Sequence, residues 1–100
     1  LPGGETALMT ASRTGMTGAV QLLLARGANV HAREARLGQT AIMWAASEGH
    51  AETVEALVKG GADFRERVES GFNAFLFAAR EGRADVVKAL LKAGAEVNDS

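Results

Sequence analysis

The 100-residue chain contains no cysteine, which excludes disulfide staples, thiolate metal sites and thiol nucleophiles and fits a reducing compartment. The compartment itself stays open, with the cytoplasm favoured. There is no basic excess either: Lys plus Arg number 11 against 12 for Asp plus Glu, giving a net charge of -1 and a pI near 6.1. A phosphate backbone would find no surplus cation here, so nucleic acid is not an expected partner. Long apolar runs are missing too. The longest, Ala41 to Ala46 and Ala74 to Ala79, hold six residues each, against roughly 18 for a helix that spans a bilayer, so no membrane partner is expected. The chain opens at Leu1 without a basic segment followed by an apolar one, so no secretory leader is expected and the chain reads as an excised piece of a longer one. His31 and His50 are the only histidines, and no repeated His, Asp or Glu cluster accompanies them. Neither a zinc site nor a Ser-His-Asp set is expected, and no catalytic residue, metal or cofactor is assigned. Gly3-Gly4 lacks the spacing of a phosphate loop, and Glu48 with Glu52 straddles a helix turn as solvated surface. What remains is 47% hydrophobic in a chain of ordinary single-domain size, the profile of one globular domain.

That domain is internally repetitive. Gly49-His50-Ala51-Glu52-Thr53-Val54 echoes Gly82-Arg83-Ala84-Asp85-Val86-Val87 at 33 residues and Gly15-Met16-Thr17-Gly18-Ala19-Val20 at 34. Other positions keep the same phase and form columns: Thr6, Thr40 and Asn73; Ala11, Ala45 and Ala78; Leu23, Leu57 and Leu90; Gly27, Gly61 and Gly94. The surplus residue of the first interval falls between Gly27 and Gly38, in a loop. Three units follow, with boundaries expected at 2–34, 35–67 and 68–100. In each, Thr6, Thr40 or Asn73 supplies an N-cap oxygen. A first helix then carries small apolar groups (Leu8, Ala11, Ser12; Ile42, Ala45, Ala46; Phe75, Ala78, Ala79) up to Gly15, Gly49 or Gly82. A second carries bulkier ones (Val20, Leu23, Leu24; Val54, Leu57, Val58; Val87, Leu90, Leu91) up to the next glycine. Glu52 and Asp85 in first turns, and Arg26, Lys59 and Lys92 in last turns, suit the helix dipole. Gly18, inside the second helix of unit one, costs about 1 kcal/mol relative to Ala, so that unit should fray first. Such helix pairs bury their stripes only by stacking, which predicts an all-α solenoid curved with its Ala-rich first helices inside.

The period of 33, the Thr-x-x-x-x-Ala first helix, the Gly-His-x-x-x-Val turn and the Gly-Ala-Asp at 61–63 together resemble the ankyrin repeat family over essentially the whole chain. The resemblance implies helix-turn-helix units linked by short β-hairpin or extended fingers, and protein binding through finger tips and the concave face. Departures accompany the match. Ala7-Leu8-Met9, Ala41-Ile42-Met43 and Ala74-Phe75-Leu76 stand where the family has Pro-Leu-His, so Met or Leu is expected to give apolar contact only. Ala35 and Val68 replace the finger aspartate, so those fingers are expected to depart from the standard turn.

His50 matches the family's structural turn histidine, and His31 reads as a loop side chain. Phe64 and Phe75 fall in apolar columns and read as core. Trp44 and Phe77 share a column with Thr10, and Phe72 shares one with Glu5 and Gln39; a column that accepts polar residues faces out or lines the concave face. A patch of Trp44, Phe72 and Phe77 flanked by Arg36, Arg67 and Arg80 has the makeup of an interface hot spot, the plainer alternative being packing inside the solenoid. With the positions the resemblance adds, the expected partner-binding set is Arg36, Leu37, Gln39, Met43, Trp44, Ser47, Glu48, Arg67, Glu69, Ser70, Phe72, Phe77, Arg80 and Glu81. Finger guanidiniums pair readily with carboxylates, so an acidic or mixed-charge protein partner is expected of a scaffold without chemistry of its own. The runner-up is a structural or self-assembling spacer: the third unit lacks a polar outer cap, the chain stops at Glu96 to Ser100 where a further finger would begin, and exposed end faces would stack end to end.

Overall fold

The computed structural model describes residues 5–95. Gly3, Gly4 and the stretch from Glu96 to Ser100, on which several expectations fall, lie outside that range. Within it the chain forms α1 (Ala7–Arg13), α2 (Thr17–Ala25), α3 (Ala41–Ser47), α4 (Ala51–Lys59), α5 (Ala74–Arg80) and α6 (Ala84–Lys92). Helix α1 packs on α3 and α3 on α5, while α2 packs on α4 and α4 on α6. The result is a helix-turn-helix solenoid of two layers, first helices in one and second helices in the other.

Each first helix starts where its cap residue turns the backbone out to an extended conformation. Thr6 Oγ1 accepts from the Met9 N–H at 3.2 Å and Asn73 Oδ1 from the Leu76 N–H at 2.9 Å, satisfying one of the donors a helix start leaves over. The methionines do more than the expected apolar packing. Met9 Sδ accepts from the Thr6 N–H at 3.4 Å and Met43 Sδ from the Thr40 N–H at 3.5 Å, the return half of a capping box made with a thioether. Leu76 has no acceptor to offer, and the third unit makes only the forward bond.

The core runs between the layers through Leu8, Ile42 and Phe75, the buried Ala45 and Ala78, then Val20, Val54, Leu57 and Leu90. Small first-helix alanines bring helix axes close, and each large aliphatic group so buried contributes about 1.5–3 kcal/mol. Phe64 is core, as its column predicts. Three details differ. Val86 is fully buried while Val87 is half-buried and Leu91 and Ala79 are exposed, because no described helix packs beyond α5 and α6. Arg26 sits at the C-cap of α2, one step past its last turn.

Successive units are tied by their turns. His50 Nε2 lies 3.0 Å from the carbonyl of Arg13, and Arg83, one unit on in the same column, donates from Nε to the carbonyl of Ser47 at 2.9 Å. The preceding glycine makes room: Gly15 has φ 74°, and a Cβ on it would lie 2.6 Å from His50 Nδ1. Bulk and backbone sign therefore both require glycine there. His50 is spent on the scaffold.

The fingers are turns rather than hairpins, and no strand occurs among the described residues. Each finger turn closes with two backbone bonds, Glu34 N–H to Gln39 O at 3.1 Å and Gly38 N–H to Glu34 O at 3.0 Å in the first, Val68 N–H to Phe72 O at 2.9 Å and Gly71 N–H to Val68 O at 2.8 Å in the second. These bonds close a tight turn and do not extend into a ladder.

Candidate functional site

In the first finger, which carries the extra residue, Glu34 is only 7% exposed. Its carboxylate accepts backbone N–H bonds from Leu37 at 2.7 Å, Arg36 at 3.0 Å and Gln39 at 3.1 Å. One side chain thus does the work of the missing finger aspartate, fixing a turn by charge-assisted bonds. The turn throws Arg36 and Leu37 outward; Leu37 is 55% exposed, and the Arg36 guanidinium has no partner among the described residues. In the second finger the brace is cationic: Arg67 Nη1 donates to the Gly71 carbonyl at 2.5 Å, and the Arg67 carbonyl accepts from Arg33 of the first finger at 2.8 Å. Arg67, expected as a presented guanidinium, is a half-buried strut.

Between the two fingers and the end of α5 lies a cavity of about 560 Å³, lined by Arg36, Leu37, Gln39, Val68, Glu69, Ser70, Phe77 and Arg80. Seven of these eight belong to the expected set; Val68 does not, and its apolar character in a finger is the signal that would have found it. Phe77 is the cavity's one aromatic lining residue, and Phe72 packs behind it. Phe72 and Phe77 meet at a ring-centroid distance of 5.3 Å, and the Arg80 guanidinium lies over both, 5.1 Å from one centroid and 5.2 Å from the other. The two ring faces hold the cation between them. Among the described residues Glu81, its exposed neighbour, pairs with it, at Nε and 3.1 Å.

Several expected contact residues are corrected by burial. Met43 is 1% exposed and serves its own helix cap, so it has no surface to offer. Phe77 is 5% exposed and forms the cavity floor instead of projecting, and Gln39, 9% exposed, gives the cavity only an edge. Trp44 is half-buried against the core, with an indole N–H that finds no acceptor among the described residues. Ser47 and Glu48 stand apart at the α3–α4 turn, where the Ser47 carbonyl is already bound by Arg83. His31 is an exposed loop residue 3.2 Å from Glu66 Oε1. No group of three or more His, Cys, Asp or Glu able to hold a metal occurs among the described residues, and none of their helices is long and apolar enough to cross a membrane.

The same three columns that hold Phe72, Phe77 and Arg80 hold Glu5, Thr10 and Arg13 in the first unit. There Thr10 Oγ1 donates to Glu5 Oε2, and Arg13 Nη2 reaches the same oxygen at 3.2 Å. The Thr10 hydroxyl, and then Arg13, hold the Glu5 carboxyl below the usual carboxylate range. The first unit satisfies itself at these columns, whereas the third sets a cation over two aromatic rings.

Comparison with known proteins agrees with this architecture. The family model described as Ankyrin repeats (3 copies) matches residues 8–100. Over 69 residues, 69% of this chain, the sequence is 39% identical to Ankyrin repeat and KH domain-containing protein mask-1 of Caenorhabditis elegans, of which it covers 3%. Over the same length it is 40% identical to Ankyrin repeat and SAM domain-containing protein 6 of Rattus norvegicus, of which it covers 8%. The chain therefore spans a small fraction of these curated relatives.

Proposed function

We propose that this chain, which belongs to the ankyrin repeat family, is a non-enzymatic scaffold that holds a protein partner in the groove between its two fingers and the end of α5. Ankyrin repeats are in general protein-interaction modules. The observation that carries the finer reading is the groove itself: about 560 Å³, with Phe77, Val68 and Leu37 as apolar surface and two guanidiniums against one carboxylate on its lining. Arg36 has no side-chain partner among the described residues, and the Arg80 guanidinium lies over both rings. Aromatic and Arg groups at a desolvated centre are the usual carriers of interface energy, and this charge balance suits an acidic or mixed-charge partner.

The test compares the parent with an Arg36→Glu, Arg80→Glu variant, both shown by circular dichroism to keep their helices. Binders selected on the parent from a displayed protein library should lose at least about tenfold in affinity for the variant, roughly 1.4 kcal/mol. Equal binding of the selected set to both proteins refutes the groove. A second reading, self-association, is favoured by one observation: the first unit carries two large exposed apolar side chains, Met16 and Leu22. Light scattering over a concentration range decides it, mass rising toward a dimer supporting the second reading and a constant monomer mass opposing it.

A further inference from the structure

The opposite, second-helix layer carries a smaller cavity of about 220 Å³ between α4 and α6. Its apolar walls are Val54, Val58, Ala89 and Ala93, and Lys59 and Lys92 stand at its rim. The preceding interface of the chain offers a comparison. Val58 occupies the column of Leu24, and Ala93 the column of Gly60. At the corresponding place between α2 and α4, Leu24 lies against Gly60 so closely that a Cβ there would meet Leu24 Cδ1 at 2.6 Å. One interface is filled by an isobutyl group seated over a glycine. In the other the isobutyl has become isopropyl and the glycine an alanine, an exchange that keeps the number of side-chain carbons but moves one from the α4 residue to the end of α6, and the groove lined by Val54, Val58, Ala89 and Ala93 stands open to an apolar side chain from outside.

The rim supplies the charge. Lys59 and Lys92 sit in the last turns of α4 and α6, and neither ammonium has a partner among the described residues; in the first interface the column of Lys59 is Ala25. Against two lysines stands only Glu55, at the same cavity. We infer that the groove between α4 and α6 is a second binding site, on the face away from the fingers, for a leucine-bearing acidic segment of a partner protein. The leucine lies among Val54, Val58, Ala89 and Ala93, and flanking carboxylates meet Lys59 and Lys92. A cavity below the roughly 300–1,000 Å³ of sites for drug-sized ligands suits one anchoring side chain. The site is independent of the finger groove, and either stands if the other fails.

The probe is the tripeptide acetyl-Asp-Leu-Asp-amide, titrated into the methyl-labelled chain and followed by NMR. A single anchor predicts a dissociation constant on the order of 1 mM, with shifts confined to the methyls of Val54, Val58, Ala89 and Ala93. Replacing the peptide's leucine by alanine, or its aspartates by lysines, should weaken binding at least about fivefold, as should Lys59→Gln with Lys92→Gln. The variant Val58→Leu, with Ala93 kept, adds a methylene group to the wall of the groove. It should abolish the shifts while leaving the melting temperature at or above the parent's, which separates a filled site from an unfolded one. The proposal is overturned if the peptide leaves these methyls unmoved at about 10 mM, if the lysine peptide binds equally well, or if octanoate saturates the site where the peptide does not.

Discussion

Replacing Glu34 is the sharpest probe of how the first finger is built. Its carboxylate accepts three backbone N–H groups, at 2.7, 3.0 and 3.1 Å. In Glu34→Ala the N–H groups of the exposed Arg36 and Leu37 turn to water and cost little. That of Gln39, in a residue only 9% exposed, is left facing protein, and an unsatisfied buried donor costs about 1–3 kcal/mol. Adding the lost charge-assisted bonds, we expect about 2 kcal/mol of destabilisation, which for a domain of this size lowers the melting temperature by roughly 8–16 °C. Glu34→Gln separates the two oxygens. Oε1 takes the bonds from Leu37 and Gln39, and an amide oxygen keeps both; the amide NH2 then faces the Arg36 N–H, donor to donor. About half the effect should follow. The assay is thermal unfolding by circular dichroism, with amide exchange of Gln39 as the local readout. A shift below about 3 °C in Glu34→Ala, with Gln39 still protected, refutes the idea that the carboxylate holds the turn.

Three further outcomes follow from the scaffold. Gly15→Ala should cost at least about 2 kcal/mol in denaturant unfolding, since it meets both a left-handed φ of 74° and the ring of His50; His50→Ala in the same chain should recover part of that loss, and no recovery would falsify the contact as its cause. Gly18→Ala should stabilise by about 0.5–1 kcal/mol, because a Cβ there meets nothing within 4 Å and the position lies inside α2. The Glu5 carboxyl is held below its ordinary value by Thr10 and then Arg13, so its contribution to stability is present above the unfolded carboxylate pKa and is lost as pH falls through the folded one; Thr10→Ala should flatten the acid limb of the parent's pH–stability curve, and an unchanged limb counts against the assignment.

How far the fold was legible depends on whether the cause was local. Caps, helix ends and the Ala and Leu columns come from short-range chemistry repeated three times, and α1 to α6 fall where those signals place them. The misreadings involve a side chain whose neighbour lies elsewhere in the chain or whose role needs geometry. A methionine column says nothing of a sulfur reaching back to a cap N–H, and nothing in Arg33-Glu34-Ala35-Arg36-Leu37 says that its turn brings three N–H groups onto one carboxylate. Arg67 was legible as a finger arginine, not as a strut, because the Gly71 carbonyl it binds points inward only once Val68 and Phe72 are paired. In the candidate site, column logic found Phe72, Phe77 and Arg80 but not their depth: sharing a column with Thr10 shows that a position tolerates polarity, while the Phe72 ring and the Arg80 guanidinium decide that Phe77 is covered.

The column in which a residue stands also separates what the scaffold uses from what it leaves over. At the turn column, His50 and Arg83 are chemically different and do one thing, each reaching a carbonyl of the preceding first helix; substitutions there should register in stability. At the columns of Glu5, Thr10 and Arg13 the units diverge. The first closes a carboxylate, a hydroxyl and a guanidinium on one another, and the third sets a guanidinium over two rings, paired at Nε with its neighbour Glu81. A polar triad that satisfies itself offers a partner little, since every new bond must displace an existing one. A stacked guanidinium is already ordered, and its remaining donors add to binding at small entropic cost. The asymmetry between the first and third units at identical register is therefore the physical reason to look for recognition at the α5 end of the groove, and the Arg36, Arg80 variant tests that end directly.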